Sequence, residues 1–174
     1  MRADFTLYTP EYISGVMSLR KPQKKSLEIL DIIVNSVNLK KGMNLQAVLG
    51  AVKALYPTCT DFERDFMSLT FALATGVGKT RLMGAFIAYL YTQHNIKNFF
   101  VVAPNTTIYN KLCRDLNDNN SPKYVFRGLS CFVNAPQVIT GEDYRSKPLS
   151  LFQSEVRIFV FNISKFDKEN ANMK

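Results

Sequence analysis

Ala74-Thr75-Gly76-Val77-Gly78-Lys79-Thr80 is the stretch on which the reading of this 174-residue chain turns. An apolar run, Met67 to Leu73, feeds into it and reads as a buried strand, and an apolar stretch, Leu82 to Leu90, follows as a helix. Strand, glycine loop, lysine, hydroxyl residue and helix together are the context a phosphate-binding loop requires. Gly76 and Gly78 allow a tight turn and a close approach of backbone to a polyphosphate. The first N–H groups of the following helix then point at the anion. In this arrangement Thr75, Gly76, Val77, Gly78, Lys79 and Thr80 form the nucleotide cradle. Lys79 reaches the β- and γ-phosphates, and the Thr80 hydroxyl ligates Mg²⁺. Both are candidate catalytic residues.

Outward from the loop, the apolar residues after Lys79 lie nearly all round a helix that runs to about Gln93, which predicts burial against a sheet. His94 to Lys97 makes a turn, and Asn98 to Ala103 reads as a second buried strand. Strand, helix and strand imply a right-handed crossover and a parallel sheet, with ligands at the carboxyl ends of the strands. Pro104-Asn105-Thr106-Thr107 sits at that end, where Thr106 or Thr107 caps a helix running to about Asn117. Tyr124-Val125-Phe126, Gln137 to Thr140 and Val156 to Phe161 read as further short strands. Upstream, Pro22 opens an amphipathic helix with Leu27, Leu30, Ile33, Val34 and Val37 on one face. Its basic start, Arg20-Lys21 and Lys24-Lys25, is read as a solvated face or a phosphate contact. Asn44 caps another helix, which Pro57 ends.

Composition sets the bounds. The net charge of +8 suits a polyanionic partner. The hydrophobic share of 47% is ample for a core. No apolar run reaches the length of a membrane span, and the N-terminus carries no secretion-type apolar region. Cys59, Cys113 and Cys131 are widely spaced and read as free thiols of a reducing, cytoplasmic setting. His94, the single histidine, has no neighbour at metal-ligand spacing, which argues against zinc and histidine-based catalysis.

The loop lacks the first glycine of the widest phosphate-loop form, since Leu73 stands there. The A-T-G-x-G-K-T variant resembles the first motif of superfamily-2 DEAD/DEAH-like helicases and translocases. Phe71 to Tyr91 more narrowly resembles the Res subunit of type III restriction enzymes. Leu19-Arg20-Lys21-Pro22-Gln23 resembles that group's glutamine motif, whose amide reads the adenine edge. The 52 residues between Gln23 and Gly76 are more than that family needs, so Gln23 is also read as a polar helix-surface residue. Phe99 to Asn105 resembles motif Ia, which implies nucleic-acid backbone contacts from Pro104, Asn105, Thr106, Thr107 and Lys111. Arg157 to Phe166 resembles the strand ahead of the Walker B motif.

The resemblance implies an α/β fold: a partial RecA-like P-loop domain, its parallel sheet flanked by helices. It divides into an N-terminal helical segment, residues 1–60, and an ATP-binding portion, residues 61–174, that ends before the acidic DExx tetrad. Asp167 and Glu169 read as a solvated tail. The expected whole is an ATP-hydrolysing, DNA-dependent motor, with DNA preferred to RNA as partner. It would hold a second RecA-like domain, modification or specificity subunits, and an endonuclease elsewhere. ATP and Mg²⁺ are the expected cofactors, and this chain alone is expected to bind nucleotide weakly without turning it over. Two alternatives stay open: a nucleic-acid-binding module with a non-working loop, and a P-loop kinase or GTPase-like enzyme.

Overall fold

The computed structural model describes residues 7–37, 42–141, 143 and 156–163. It begins with α1 (Pro10–Val16), α2 (Lys21–Ser36) and α3 (Leu45–Leu55). Thr9 caps α1, and the Asn44 side chain caps α3 by accepting from Gln46 and Ala47 N–H at 3.0 and 3.1 Å. Then come α4 (Lys79–His94), β1 (Asn98–Ala103), α5 (Thr106–Asn117), a short 3₁₀ turn, β2 (Gln137–Thr140) and β3 (Arg157–Asn162).

The three strands form a parallel sheet in the order β1-β3-β2. β3 is central because it alternates cleanly, with Ile158 and Val160 fully buried on one face. α5 covers that face with Tyr109, Leu112 and Leu116, so the sheet and its helices share one core. The expected parallel sheet flanked by helices is therefore present. On the other face Phe100 stacks on Phe159 and Phe161 at ring separations of 4.8 and 5.9 Å. There β1 is open, with Phe100 70% exposed, so the second strand is not buried on both sides as expected.

Two expected strands are absent. Met67 to Leu73 forms no strand and is at most half-buried. From Leu69 to Ala74 its burial alternates with period two, one side packing through Phe71 onto Phe86 of α4. The side-chain pattern of a strand is thus kept, but no ladder partner lies beside it among the described residues. Tyr124 to Phe126 is a turn. Its three residues are deeply buried without pairing in a sheet: Val125 packs on Gly84 of α4, and Phe126 stacks on Phe132 and meets Tyr124 edge-on. Asp167 and Glu169, with residues 164–166 of the last motif, lie outside the described residues.

The N-terminal stretch packs onto the domain. The buried Tyr8 hydroxyl bonds Ser130 Oγ at 2.6 Å and accepts the Cys131 N–H at 2.8 Å. α2 is fastened to α4 by the Tyr89 hydroxyl, which donates to Asp31 Oδ1, while Asn35 Nδ2 donates to the same oxygen at 2.8 Å. Burial, followed by the hydrogen bond to Asp31 and its charge, raises the Tyr89 phenol well above its usual range. α3 packs Val48 and Val52 against Ile33 of α2 and Val37, its C-cap, in a separate small cluster. Between this cluster and residues 56–72 lies a cavity of about 700 Å³.

α4 meets the Tyr124–Phe126 turn at Gly84, whose missing side chain leaves the room that Val125 fills. A Cβ on Gly84 would stand 1.9 Å from Val125 Cγ1. Gly84→Ala should therefore destabilise the fold by about 1–3 kcal/mol through overpacking. Adding Val125→Ala should recover part of that loss, as measured by denaturant unfolding of the two single variants and the double variant.

Candidate functional site

The phosphate loop runs from Ala74 into the first turn of α4. Gly76 and Gly78 both take left-handed backbone, at φ 80° and 94°. Only glycine adopts that conformation at little cost, so the sequence folds this way because both positions are glycine. The Gly78 carbonyl starts the helix by accepting from Arg81 and Leu82 N–H at 3.0 and 3.2 Å. Val77 N–H turns back to Ala74 O at 3.5 Å. Among the described residues the N–H groups of Gly76, Gly78, Lys79 and Thr80 have no acceptor. They stand together at a helix N-terminus, where the macrodipole adds about half a positive charge. Thr75 and Lys79 are exposed, Val77 and Thr80 are half-buried, and no ion pair engages Lys79 among the described residues.

Gln23 lies in this site. Its side chain is 1% exposed, so it is not a residue of the helix surface. Its Nε2 donates to Gly78 O at 2.8 Å, and its Oε1 accepts the Arg20 N–H at 2.7 Å. Arg20 reaches the same loop, with Nη1 donating to Gly76 O at 3.0 Å. Arg81, in the first turn of α4, returns a contact from Nη1 to Met17 O at the end of α1. Of the basic start of α2, Arg20 is thus not merely solvated, since one of its N–H groups holds the loop. Lys24 and Lys25 pair with Glu28 at 3.9 and 3.8 Å.

The second group of expected residues stands at the end of β1. α4 is about 24 Å long and β1 about 20 Å, and the chain reverses between them at Asn95, in left-handed conformation at φ 54°. Pro104 follows the last residue of β1 and leads into α5. Pro104, Asn105, Thr106, Thr107 and Lys111 are all exposed there. Asn105 caps α5, with Oδ1 accepting the Ile108 N–H at 2.9 Å; Thr106 and Thr107 lie inside the helix, contrary to expectation. Three residues able to cap stand in a row, and the extended backbone of Asn105 decides among them. Thr106 instead accepts from Asn162 Nδ2 at 3.1 Å, which ties the end of β3 to the start of α5.

Sequence reasoning missed Asn162 and misplaced Arg20. The signal for Asn162 was a polar residue ending the apolar run Ile158–Phe161; it is 3% exposed and must be hydrogen-bonded. No cluster of three or more metal-ligating side chains occurs among the described residues. Thr80 offers one hard oxygen, which suits Mg²⁺ only where phosphate oxygens and water complete the shell. Among the described residues no helix is long and apolar enough to cross a membrane.

Residues 16–174 match the family described as type III restriction enzyme, res subunit. No curated protein and no solved structure matches the chain.

The two loop glycines should differ in tolerance. A Cβ at Gly76 meets open space, whereas one at Gly78 would stand 2.8 Å from Gln23 Nε2. Gly76→Ala should cost roughly 1–2 kcal/mol from left-handed strain alone. Gly78→Ala should cost more, because it also displaces the Gln23 amide, and unfolding curves of both variants will rank them.

Proposed function

The chain belongs to the type III restriction enzyme res-subunit family, a nucleoside-triphosphate-binding family, and from that premise we propose that it is the ATP-binding portion of a DNA-dependent motor. The observation that supports this reading is the set of four unengaged N–H groups around an exposed lysine at the start of α4. Donors held in that geometry before the ligand arrives need no reorganisation to bind it. The amides of Gly76, Gly78, Lys79 and Thr80 bind phosphate oxygens, while Lys79 supplies a full charge to the β- and γ-phosphates. Thr80 holds Mg²⁺, which neutralises phosphate charge when bound. Thr75 and Val77 shape the mouth of the loop, and Gln23 belongs to the site through Gly78.

The nucleic acid lies along the start of α5. Exposed N–H groups at that helix end, the hydroxyl of Thr107 and the charge of Lys111 suit a backbone phosphate and carry no base information. Asn162 links this end to the central strand. Phosphoryl transfer also needs a carboxylate shell for the metal and a cation for the developing charge. None of the described residues beside the loop supplies the carboxylates, so we infer that this chain holds nucleotide without turning it over.

The test is equilibrium binding of a non-hydrolysable ATP analogue with Mg²⁺ to this chain and to Lys79→Ala. Removing one charged hydrogen bond of about 1.5–3 kcal/mol should weaken binding roughly ten- to a hundredfold. Equal affinity in both proteins would refute the reading and leave a nucleic-acid-binding module. Lys111→Ala should weaken single-stranded DNA equally for all sequences and lower the slope of log K against log salt by about 0.7. An unchanged slope would remove Lys111 from the interface.

A further inference from the structure

We propose that the cavity bounded by α2, α3 and residues 56–72 is a docking groove. Its occupant is an extended peptide strand of a partner protein, with apolar side chains at alternate positions and a basic residue at one end. At about 700 Å³ the cavity has the size of a ligand pocket. Ser68, Leu69, Thr70, Phe71 and Ala72, five residues in a row, line it. A strand turns only every second side chain towards any one face, so a wall made of consecutive residues is a backbone edge. The side chains fit that orientation: Leu69 and Phe71 pack on the core, while Thr70 and Ala72 are exposed.

That edge has nothing to bond. From Leu69 to Leu73 no backbone N–H or C=O has a partner among the described residues. A strand laid along such an edge satisfies donors and acceptors together, and pockets for its alternate side chains give specificity. Ile29 and Ile33 of α2 and Val52 of α3 also line the cavity, an aliphatic surface that accepts those side chains. The rim sets the sign of charge. Asp61 to Asp65 carries three carboxylates and one guanidinium in a chain of net charge +8. Among them Glu63 lines the cavity, is exposed, and has no ion pair among the described residues. A basic end of the incoming strand is matched there, and an acidic end is repelled.

The experiment uses the whole chain and a fluorescently labelled peptide, acetyl-Lys-Val-Thr-Val-Thr-Val-amide, with binding read by anisotropy. Two further peptides carry N-methyl groups on the main chain, one at its valines and one at its threonines. Because a strand pairs through one edge, one of these should bind roughly tenfold more weakly and the other about as well as the parent. Equal losses, or no saturable binding of the parent, overturn the proposal; these changes lie in the peptide and leave the protein's folding untouched. Replacing the peptide's lysine by glutamate should weaken binding about two- to fivefold, and Glu63→Lys should reverse that preference. A preference that Glu63→Lys leaves unchanged overturns the proposal. Bound peptide should slow amide exchange at residues 69–73 and leave β1, whose outer edge is also unpaired, as it was. Protection at β1 instead overturns the proposal. So does protection of residues 69–73 without peptide in a chain that sediments as a dimer, since a second copy then fills the groove.

Discussion

A single carbonyl oxygen, that of Gly78, receives three hydrogen bonds, and most of what surrounds the loop depends on it. Two of the donors begin α4, and the third comes from a helix 55 residues earlier in the chain. The left-handed backbone at φ 94° presents that oxygen, and the absence of a Cβ lets the Gln23 amide approach. Helix start, loop curvature and docking of the N-terminal helices thus meet at one peptide group.

The loop was legible in the sequence because its chemistry is local. Gly76, Gly78, Lys79 and Thr80 are adjacent, and the helix that follows announces itself by apolar residues on every side. The caps at Asn44 and the turn at Asn95 are local in the same sense. The unread parts depend on neighbours distant in sequence. Met67 to Leu73 has a strand's composition, but a strand exists only when another pairs with it, and periodicity carries no record of a partner. Tyr124 to Phe126 is apolar because it packs against α4 through Val125 and against Phe132 through Phe126, and burial of that kind looks the same in a sequence as a short strand. Gln23 was legible only through the motif it resembles, with a helix-surface reading beside it, and Arg20 read as solvated or as a phosphate contact, since nothing adjacent to either reveals the loop backbone that they contact.

The sheet and the site are arranged around the same edge. β3 lies between β1 and β2, and its last residue, Asn162, reaches across to Thr106. The ends of β1 and β3 therefore meet the N-terminus of α5, where backbone donors collect. The aromatic stack of Phe100, Phe159 and Phe161 occupies the face away from α5. A parallel sheet is stable when both its faces are covered. α5 covers one of them, and the solvent exposure of Phe100 shows how much apolar surface the other retains at β1.

Tyr8 bonds Ser130 across 122 residues, whereas Gln23 bonds Gly78 across 55. Closing the longer loop costs about 0.7 kcal/mol more in chain entropy, a small difference. The larger consequence concerns time. As a ribosome releases the chain at about 5–20 residues per second, the partner of Gln23 emerges several seconds before the partner of Tyr8. The phosphate loop can thus be gripped by its helix while Tyr8, made before either, still waits for its own partner.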